Sequence, residues 1–554
     1  MRRPFILSPL PKTASPVRGH DIWLGTVRGG RRCLAAARST FELQREIMLM
    51  PRATALAGFV GRYLEKAIEP VVHRRSERRL HDWTDDTYPA SRPETWWSDD
   101  PHWYPGGTPP RAHNHIAPLI DGGEFFPALR DALAQAQHYV YIAGWFLTPY
   151  IPLGRSDVDD IEQSRLLPLL TETARRVPVR ILLWSGAPMM LQPNTSTTSA
   201  IQRVIEREGA GDLLCRLDST AQITHCHHQK AIVVDGQVAF VGGMDLTTYQ
   251  GDRWDTAGHP LRAGVNWHDV QLHLQGEVVA DVERNFRQRW EASTEDALPS
   301  PREPQVDPAW NTTAQIVRTI PSKTYPFAPR GEFGIYHAYI TALRQARRLI
   351  YLENQYLWSP EIVDVLQDIM AQPHAEPFRI VVVLPARAYS GKWDNDHHVN
   401  ELKEADRGRG IISFYCPYAS GPASGSDAFS YRAIYVHAKV AVIDDEWFTV
   451  GSANLNERGL MTDSEINTLV HNPALARDLR LRLWAEHLGM ARAELEQRDT
   501  LELIDHVWPD QATRNAEIVK RADHPLIGGL HPYQIGRMPG SWLLEEAELL
   551  TFEH

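Results

Sequence analysis

The sequence predicts an α/β protein with two similar α/β sandwich domains, each a mixed central sheet flanked by helices, related by a pseudo-two-fold axis. The chain has 554 residues, which at roughly 150 residues per domain suggests about two to four domains. Downstream of residue 112, helical patterns alternate with short apolar, β-rich runs, which is typical of α/β layers. This region also repeats itself after about 210 residues, a period too long for a solenoid.

The repeat consists of a helix followed by a buried strand. The phrase HYVYIAGWFL, which begins at His138, aligns with RLIYLENQYL, which begins at Arg348, at an offset of 210 residues. A second pair of apolar runs follows, VRILLW from Val179 and FRIVVV from Phe378, so each copy continues into another strand. The predicted organisation is an N-terminal basic, partly disordered region with an amphipathic helix and a Trp/Pro-rich arm at residues 1–112, a first domain at 113–315, a second domain at 316–490 and a C-terminal helical extension at 491–554.

Charge separates the N-terminal segment from the rest of the chain. Residues 1–80 carry 16 Lys and Arg against 6 Asp and Glu, a net charge of +10, whereas the remaining residues carry −21. An acidic body repels nucleic-acid backbones, while a basic segment suits an anionic membrane surface. Residues 51–73 predict an amphipathic helix, which is either an interfacial anchor or a helix packed on the body.

Composition excludes several other classes. The four cysteines are scattered, with no C-x-x-C pair, so neither a disulfide framework nor a thiolate zinc site is expected. No apolar run reaches the roughly 18 residues of a transmembrane helix, and the N-terminus lacks the apolar stretch of a signal peptide. We therefore expect a cytoplasmic protein, with peripheral attachment to a membrane as the alternative.

One histidine-rich phrase occurs twice. The phrase HCHHQKAIVVDGQVAFVGGMDL, residues 225–246, has a second copy, HAKVAVIDDEWFTVGSANL, which begins at His437, at an offset of 209 residues. His225 and His227 have no histidine opposite them, and a zinc site would need several recurring ligands. His228 is therefore predicted to be the reactive imidazole, and the other two are expected either to support it from behind or to line the pocket. The recurring pairs are His228 with His437, Lys230 with Lys439, and Asp235 with Asp444.

These two H-x-K-x4-D motifs resemble the paired motifs of the phospholipase D superfamily, and the chain is most similar to the eukaryotic-type phospholipases D. The resemblance spans roughly residues 113–490 and implies two phospholipase D-like domains. Gly243 stands opposite Ser452, and Gly459 stands where a serine is common, so the chain departs from the pattern at these places. The matching phrases are HHQKAIVVD, FVGGMDL, RWDT, WHDVQLHLQGEVV, FRQRW, ENQY, HAKVAVIDD, GSANLNERG and DSEI.

The predicted substrate contacts follow from the charge of a phosphodiester. Its oxygens must be neutralised before phosphorus can be attacked. Lys230 and Lys439 can converge on one phosphate if the two copies face each other. Ser452 and Asn454 can add neutral donors, and Asp245 occupies the matching place in the first half.

The two motif histidines are expected to take different roles. An ordinary pKa of about 6.5 suits an imidazole to both nucleophilic and acid–base work. The resemblance implies that His228 forms a phosphohistidine, and that His437 is first the acid and then the base. Each imidazole needs an orienting carboxylate. Because WHDV and DSEI occupy matching places in the two copies, Asp269 is expected to orient His228, and Glu465 to orient His437.

Other residues receive supporting roles. Asp235 and Asp444 belong to the catalytic set by motif, although both are expected to fix loops rather than contact substrate. Trp145, Tyr356 and Trp358 could line a lipid entrance or belong to the core. The scheme requires no metal ion and no cofactor.

The resemblance implies a phospholipase D that hydrolyses the distal phosphodiester bond of glycerophospholipids to phosphatidic acid and a head-group alcohol, with transphosphatidylation as a further activity. The alternatives are a cardiolipin synthase-like phosphatidyltransferase, a nuclease-type phosphodiesterase and a non-enzymatic membrane scaffold. The expected partners are membrane phospholipids, with water or an alcohol as acceptor, and no nucleic acid. Because the two copies form a pseudo-dimer within one chain, we expect a monomer.

Overall fold

The computed structural model describes residues 102–536, except for residues 156, 188–192, 223–224, 263, 375, 389–391, 424 and 426–427. These residues belong to one unit, Ala57–His554. The basic segment and the amphipathic helix predicted at residues 51–73 lie outside the described residues.

The first half contains eight strands and four helices among the described residues. Its strands are β1 (Arg111–Ile120), β2 (Val140–Gly144), β3 (Val179–Trp184), β4 (Leu213–Asp218), β5 (Ala231–Val234), β6 (Val238–Gly242), β7 (Asn266–His268) and β8 (Val270–Gly276). Its helices are α1 (Asp121–Gln135), α2 (Leu166–Ala174), α3 (Thr195–Glu208) and α4 (Val278–Ser293).

The second half repeats this pattern and continues into a C-terminal segment. Its strands are β9 (Thr312–Ile320), β10 (Glu332–Phe333), β11 (Leu349–Asn354), β12 (Arg379–Val383), β13 (Ile412–Pro422), β14 (Phe429–Val436), β15 (Lys439–Ile443), β16 (Trp447–Gly451), β17 (Glu465–His471) and β18 (Leu530–Pro532). Its helices are α5 (Gly334–Gln345), α6 (Pro360–Ala371), α7 (Lys392–Asp406), α8 (Pro473–Leu488), α9 (Arg492–Gln497), α10 (Thr500–Glu502) and α11 (Trp508–Arg521), with π-helical turns at Arg458–Thr462 and Leu503–Val507.

The two halves have the same sheet. In the first half the strand order is β4-β3-β2-β5-β6-β8-β1. In the second half it is β13-β12-β11-β15-β16-β17-β9. Each sheet has three parallel strands followed by antiparallel ones, and β1 pairs with β9 to join the two sheets. The predicted fold class, two similar α/β domains with mixed sheets, is confirmed.

The central strands are apolar on both faces because helices cover both faces of the sheets. Every residue of β2 (VYIAG) and of β5 (AIVV) is buried, which is the pattern of strands that have no solvent-facing side. Helix α4 buries Phe286, whose ring stacks on Tyr141 at 4.7 Å. The same hydrophobic cluster includes Val442 and Trp484 of the second half, so one core runs through both halves.

The predicted domain boundaries stay a prediction, which the bounds of the strands refine at one place. The division at residue 315 falls inside β9, the counterpart of β1, and we propose that the second domain begins near Thr312. Helices α9, α10 and α11 occupy the predicted C-terminal extension. This extension packs into the second half, because Trp508 is fully buried against Trp484 and β18 pairs with β13. Among the described residues, no helix is both long and apolar enough to cross a membrane.

Candidate active site

Both motif histidines lie where the two halves of the molecule meet. His228 and Lys230 come directly before β5, and His437 comes two residues before Lys439, the first residue of β15. The His228 side chain is 15% exposed and the His437 side chain is 10% exposed, whereas both lysines are buried. The imidazoles are therefore the parts of the two motifs that a substrate reaches first.

The expected pairing of histidines and carboxylates is wrong, because the structure reverses it. His228 Nδ1 lies 2.9 Å from Glu465 Oε1, and His437 Nδ1 lies 2.7 Å from Asp269 Oδ2. Each carboxylate therefore orients the histidine of the opposite half. In both pairs the contact uses Nδ1 and leaves Nε2 for chemistry.

The reversal follows from two short parallel contacts that cross between the halves. His227 forms a parallel bridge with Ser464, and β14, which ends at Val436, pairs in parallel with β7, which ends at His268. In each of these two contacts, the residue that follows on one side is a motif histidine. The residue that follows on the other side is the carboxylate that orients this histidine. Backbone hydrogen bonds fix this register, since the N–H of the residue after His227 donates to the Ser464 carbonyl at 2.9 Å.

The two motif lysines have different surroundings although the repeat makes them equivalent. Lys230 Nζ lies 2.8 Å from Asp245 Oδ2, whereas Lys439 Nζ donates to the side-chain oxygen of Gln355 at 3.3 Å. Each lysine also donates to the backbone carbonyl of its own motif histidine. In the described part of the chain, no carboxylate is ion-paired with Lys439. Burial lowers the pKa of Lys439 to about 7, although the charge of nearby Asp269 opposes the change.

Both motif histidines resist protonation in the empty site. Burial, followed by the positive charges of Lys230 and Lys439, lowers the pKa of His228 well below its ordinary value. Burial, followed by the charges of Lys439 and Arg253, does the same to the pKa of His437. The neutral imidazole is the form with a free lone pair, which an attack on phosphorus requires.

The two orienting carboxyls respond to burial in the opposite sense. Burial raises the pKa of Glu465 well above its ordinary value, against the opposing charge of Lys230. Burial also raises the pKa of Asp269, against the charge of Lys439. Both carboxyls therefore bind a proton more readily than exposed carboxyls do.

Of the three predicted substrate contacts, two have other partners. Ser452 is fully buried and its hydroxyl donates to Glu465 Oε2, so it supports the carboxylate rather than a phosphate. Asp245 pairs with Lys230. Asn454 remains a candidate, because its buried Oδ1 has no hydrogen-bond partner among the described groups and the amide can turn to present its NH2.

Glycine at position 243, opposite Ser452, makes room for the other carboxylate. A Cβ at Gly243 would lie 2.1 Å from Asp269 Oδ1, a distance that no side chain can accept. The two halves therefore solve the same problem differently. The first half provides space beside its carboxylate, and the second half provides a hydroxyl that donates to it.

Asp235 and Asp444 anchor loops, and we propose that they take no direct part in catalysis. Asp235 accepts hydrogen bonds from the backbone N–H groups of residues 137–139, and Asp444 accepts them from residues 347–349. Both have a φ of 56°, which suits the tight turn after the motif strand. They lie at the far end of that strand, roughly 16 Å from the motif lysine at about 3.3 Å per residue.

His227 has a structural place in the interior. It is fully buried, its Nε2 lies 3.0 Å from Asp218 Oδ1, and its ring stacks on Tyr325. It therefore supports the loop that carries His228, which is one of the two roles expected for it. His225 is also buried, and its role as a pocket-lining residue stays a prediction.

One of the three predicted entrance aromatics lies at the site. The half-buried Trp145 ring meets His228 edge-on at 6.1 Å and lies 5.9 Å from Lys230 Nζ. Tyr356 and Trp358 instead stack on each other at 4.7 Å within a small buried cluster. These two belong to the core of the second half.

Two family models match the chain, one around each motif. The model described as "Phospholipase D" matches residues 132–266, and the one described as "Cardiolipin synthase, PLD-like domain" matches residues 339–485. The chain belongs to the phospholipase D superfamily. The two matched regions fall in the two halves that share one sheet topology, so the superfamily's paired motifs are both present in a single chain.

Curated relatives in the superfamily are distant and longer. Phospholipase D A of Dictyostelium discoideum is 25% identical over 69% of this chain and 36% of its own length. Phospholipase D alpha 4 of Arabidopsis thaliana is 25% identical over 65% and 62%, and phospholipase D1 of Saccharomyces cerevisiae is 23% identical over 75% and 31%. The chain thus spans about a third to three fifths of these relatives. A solved phosphatidylserine synthase of Haemophilus influenzae covers 75% of the chain at 11% identity and a TM-score of 0.45, which is too distant to bear on activity.

A second cluster of ionisable side chains lies directly behind the superfamily motifs, and comparison of the two repeats did not reveal it. Its members are Asp121, His259, His268, Glu353, Glu486 and His487, all buried. His268 and Glu353 lie inside the phrases WHDV and ENQY, which do carry the resemblance. They stand opposite Ser464 and Ala143, however, so a search for recurring residues passes over them.

Proposed function

We propose that the protein is a phospholipase D that hydrolyses the distal phosphodiester bond of glycerophospholipids through a phosphohistidine on His228. The products are phosphatidic acid and the head-group alcohol, and an alcohol in place of water gives transphosphatidylation. Membrane phospholipids are the substrate class, as the names of the curated relatives suggest.

The observation that carries this proposal is the pair of histidines, each held through Nδ1 by a carboxylate of the other half. Two lysines lie behind them. A two-step displacement at phosphorus needs one neutral imidazole to attack, one imidazole to move a proton and positive charge for the phosphate oxygens. This site provides all three.

In the first step, His228 Nε2 attacks phosphorus while the bond from phosphorus to the head-group oxygen breaks. His437 donates its Nε2 proton to that oxygen, so the alcohol leaves neutral. Substrate binding lets His437 take up this proton from solvent beforehand, because the phosphate's negative charge offsets the lysine charges that lower the pKa of His437 in the empty site. Asp269 stabilises the imidazolium form of His437 until the proton is transferred.

In the second step, water or an alcohol attacks the phosphohistidine. His437, now neutral, accepts the proton of the incoming hydroxyl, and the bond between phosphorus and His228 breaks. Glu465 stabilises His228 as its ring loses the phosphoryl group. The site returns to its starting protonation state, with one proton given and one taken back.

Lys439 predicts a pH dependence near neutrality. Since burial lowers the pKa of Lys439 to about 7, the free site loses a positive charge as pH rises through that value. We expect kcat/KM to fall on this alkaline limb, and kcat to fall at higher pH because bound phosphate favours the charged lysine. Lys439→Arg keeps its charge and should move the limb of kcat/KM upward, whereas the matched Lys230→Arg should not. A limb that stays in place in Lys439→Arg would assign it to another group.

A phosphatidyltransferase is the second candidate. It would use the same phosphoenzyme but pass the phosphatidyl group to a lipid alcohol. The observation in its favour is the second-half match to the family model described as "Cardiolipin synthase, PLD-like domain". The acidic body, with a net charge of −21 outside residues 1–80, disfavours a nuclease.

Product analysis on mixed phospholipid vesicles decides among these activities. We expect phosphatidic acid and free head group in water, and a phosphatidyl alcohol when a primary alcohol is added. Vesicles with phosphatidylglycerol test whether a lipid alcohol accepts the phosphatidyl group instead. The His228→Ala protein, purified in parallel, controls for contaminating lipases. Cleavage of an oligonucleotide with no turnover of any phospholipid would contradict the proposal.

A further inference from the structure

Four buried side chains from distant parts of the chain converge behind the catalytic carboxylate Asp269. They are Asp121, His259, His268 and Glu486, and one ligand atom of each lies within 4.8 Å of the others. Two carboxylate oxygens of this group, Asp121 Oδ2 and Glu486 Oε2, are buried without a hydrogen-bond partner among the described groups. Buried polar atoms of native proteins are normally paired, so this group needs an explanation.

Two of the distances within this group are close to those between ligands of one ion. His268 Nδ1 lies 3.3 Å from Asp121 Oδ1, and His259 Nε2 lies 3.5 Å from Asp121 Oδ2. Tetrahedral zinc with bonds of about 2.0–2.2 Å separates its ligand atoms by about 3.3–3.6 Å. Glu486 Oε1 lies closer to both imidazoles, 2.9 Å from His268 Nδ1 and 2.5 Å from His259 Nε2. Binding of an ion would therefore require this carboxylate to move outward.

The outer nitrogen of each imidazole also faces a carboxylate. His268 Nε2 lies 2.7 Å from Glu353 Oε2, and His259 Nδ1 lies 3.1 Å from Asp255 Oδ2. Glu353 is held in turn by His487 Nε2 at 2.8 Å. A carboxylate behind a metal-bound histidine fixes the ring and raises the basicity of the ligating nitrogen.

We propose that Asp121, His259, His268 and Glu486 bind one divalent transition-metal ion, with Zn²⁺ the best match. Two imidazole nitrogens and two carboxylate oxygens suit zinc, whereas Ca²⁺ and Mg²⁺ prefer oxygen ligands alone. The two carboxylates neutralise the charge of the ion. Four protein ligands close the coordination sphere, so the ion is structural and does not contact substrate.

The location provides both access and a purpose. His259 and Glu486 line a cavity of about 690 Å³, which gives the ion a route to the site. Two hydrogen bonds join Asp121 to Asp269. The Asp269 N–H donates to the Asp121 carboxylate at 2.9 Å, and the Asp121 N–H donates to the Asp269 carbonyl at 2.8 Å. Asp121 also has a φ of 59°, an uncommon conformation that the surroundings must impose. The ion would therefore hold the residue that positions Asp269, and through it His437.

Metal analysis of the purified full-length protein tests the proposal without reference to activity. We expect about one zinc ion per chain by elemental mass spectrometry, and a thermal midpoint that falls after dialysis with a chelator and returns with Zn²⁺. Addition of Co²⁺ to the stripped protein should give the visible absorption of a tetrahedral ion.

Matched variants locate the ion. His259→Asn and Glu486→Gln should each reduce bound zinc several-fold. The control is the double variant His397→Gln/His398→Gln, which removes two surface histidines that lie beside a carboxylate outside the cluster. This variant should leave zinc content unchanged.

Two results would overturn the site. One is a wild-type protein that contains no metal and whose thermal midpoint does not respond to added Zn²⁺, which would mean that protons on the two histidines supply the positive charge. The other is zinc that is lost from His228→Ala but kept in His259→Asn. If a cluster variant does not fold, the wild-type zinc content and the cobalt spectrum still decide. Because these readouts do not depend on turnover, failure of the metal site and failure of the phospholipase proposal are distinguishable.

Discussion

His228→Ala is expected to lose turnover of every phosphodiester by about 10³-fold or more, because the side chain that forms the phosphoenzyme is gone. His437→Ala is expected to behave differently. It should lose turnover of natural lipids, whose leaving alcohol needs a proton, by about 10²–10⁴-fold. With a diester whose leaving group is p-nitrophenol, which departs as an anion, the first step should still proceed.

The measurement is a stopped-flow record of p-nitrophenolate with enzyme near substrate concentration. His437→Ala should release at most one nitrophenolate per chain and then stop, because no base activates the incoming water. Its intact mass should increase by that of the phosphoryl fragment. His228→Ala should show neither the burst nor the added mass.

The neighbouring imidazole provides the control. His225→Gln, which changes a histidine in the same loop that has no counterpart in the second motif, should retain most of the wild-type turnover. A burst in His228→Ala but not in His437→Ala would exchange the two roles. Turnover of wild type without any phosphoenzyme, even after rapid quenching, would refute covalent catalysis at this site.

The two motif histidines could be predicted from the sequence because the motif occurs twice at a fixed spacing, which composition alone does not reveal. One offset of 209 residues aligns both motifs without a gap, and it separates His228 from His225 and His227. The likeness of the two sheets also follows from the repeat, since matching apolar runs became matching strands such as β2 and β11. What recurs in a sequence is what both copies need.

Contacts between the two copies cannot be predicted from the repeat. The pairing of His228 with Glu465 depends on the parallel contact of His227 with Ser464, which joins opposite halves. Alignment places Asp269 opposite Glu465 but does not say which histidine each one meets. The different surroundings of Lys230 and Lys439 also depend on a contact that the alignment does not show. Asp245 lies beside Lys230, whereas the matching residue in the other copy is Asn454.

Residues with roles in only one copy were missed or misassigned. His268 and Glu486 have no equivalents at the matching places, so the cluster behind Asp269 was invisible to the repeat. Ser452 was expected to donate to phosphate, but burial turns its hydroxyl toward Glu465. In both cases the decisive quantity is the distance between side chains from different segments, which folding sets and spacing along the chain does not.

The reversed pairing makes the second large prediction. Glu465→Gln should slow the formation of the phosphoenzyme, and Asp269→Asn should slow its breakdown, each by about 10²–10⁴-fold. An amide can donate a hydrogen bond to Nδ1 and so favours the tautomer that places the proton on Nε2. For His228 this removes the attacking lone pair, and for His437 it weakens the base that activates water.

The p-nitrophenyl diester separates the two effects in one experiment. Glu465→Gln should reduce the rate of the burst, whereas Asp269→Asn should keep a fast burst and slow the phase that follows. Pairing within each half would give the opposite assignment, with Asp269→Asn slowing the burst. A double variant adds an independent check, because Glu465→Gln should cost little more once His228 is already alanine, while it should remain costly on its own. The opposite result would be that Asp269→Asn has little further effect once His228 is alanine. In that case the crossing contacts between the two halves would not be those that operate during catalysis.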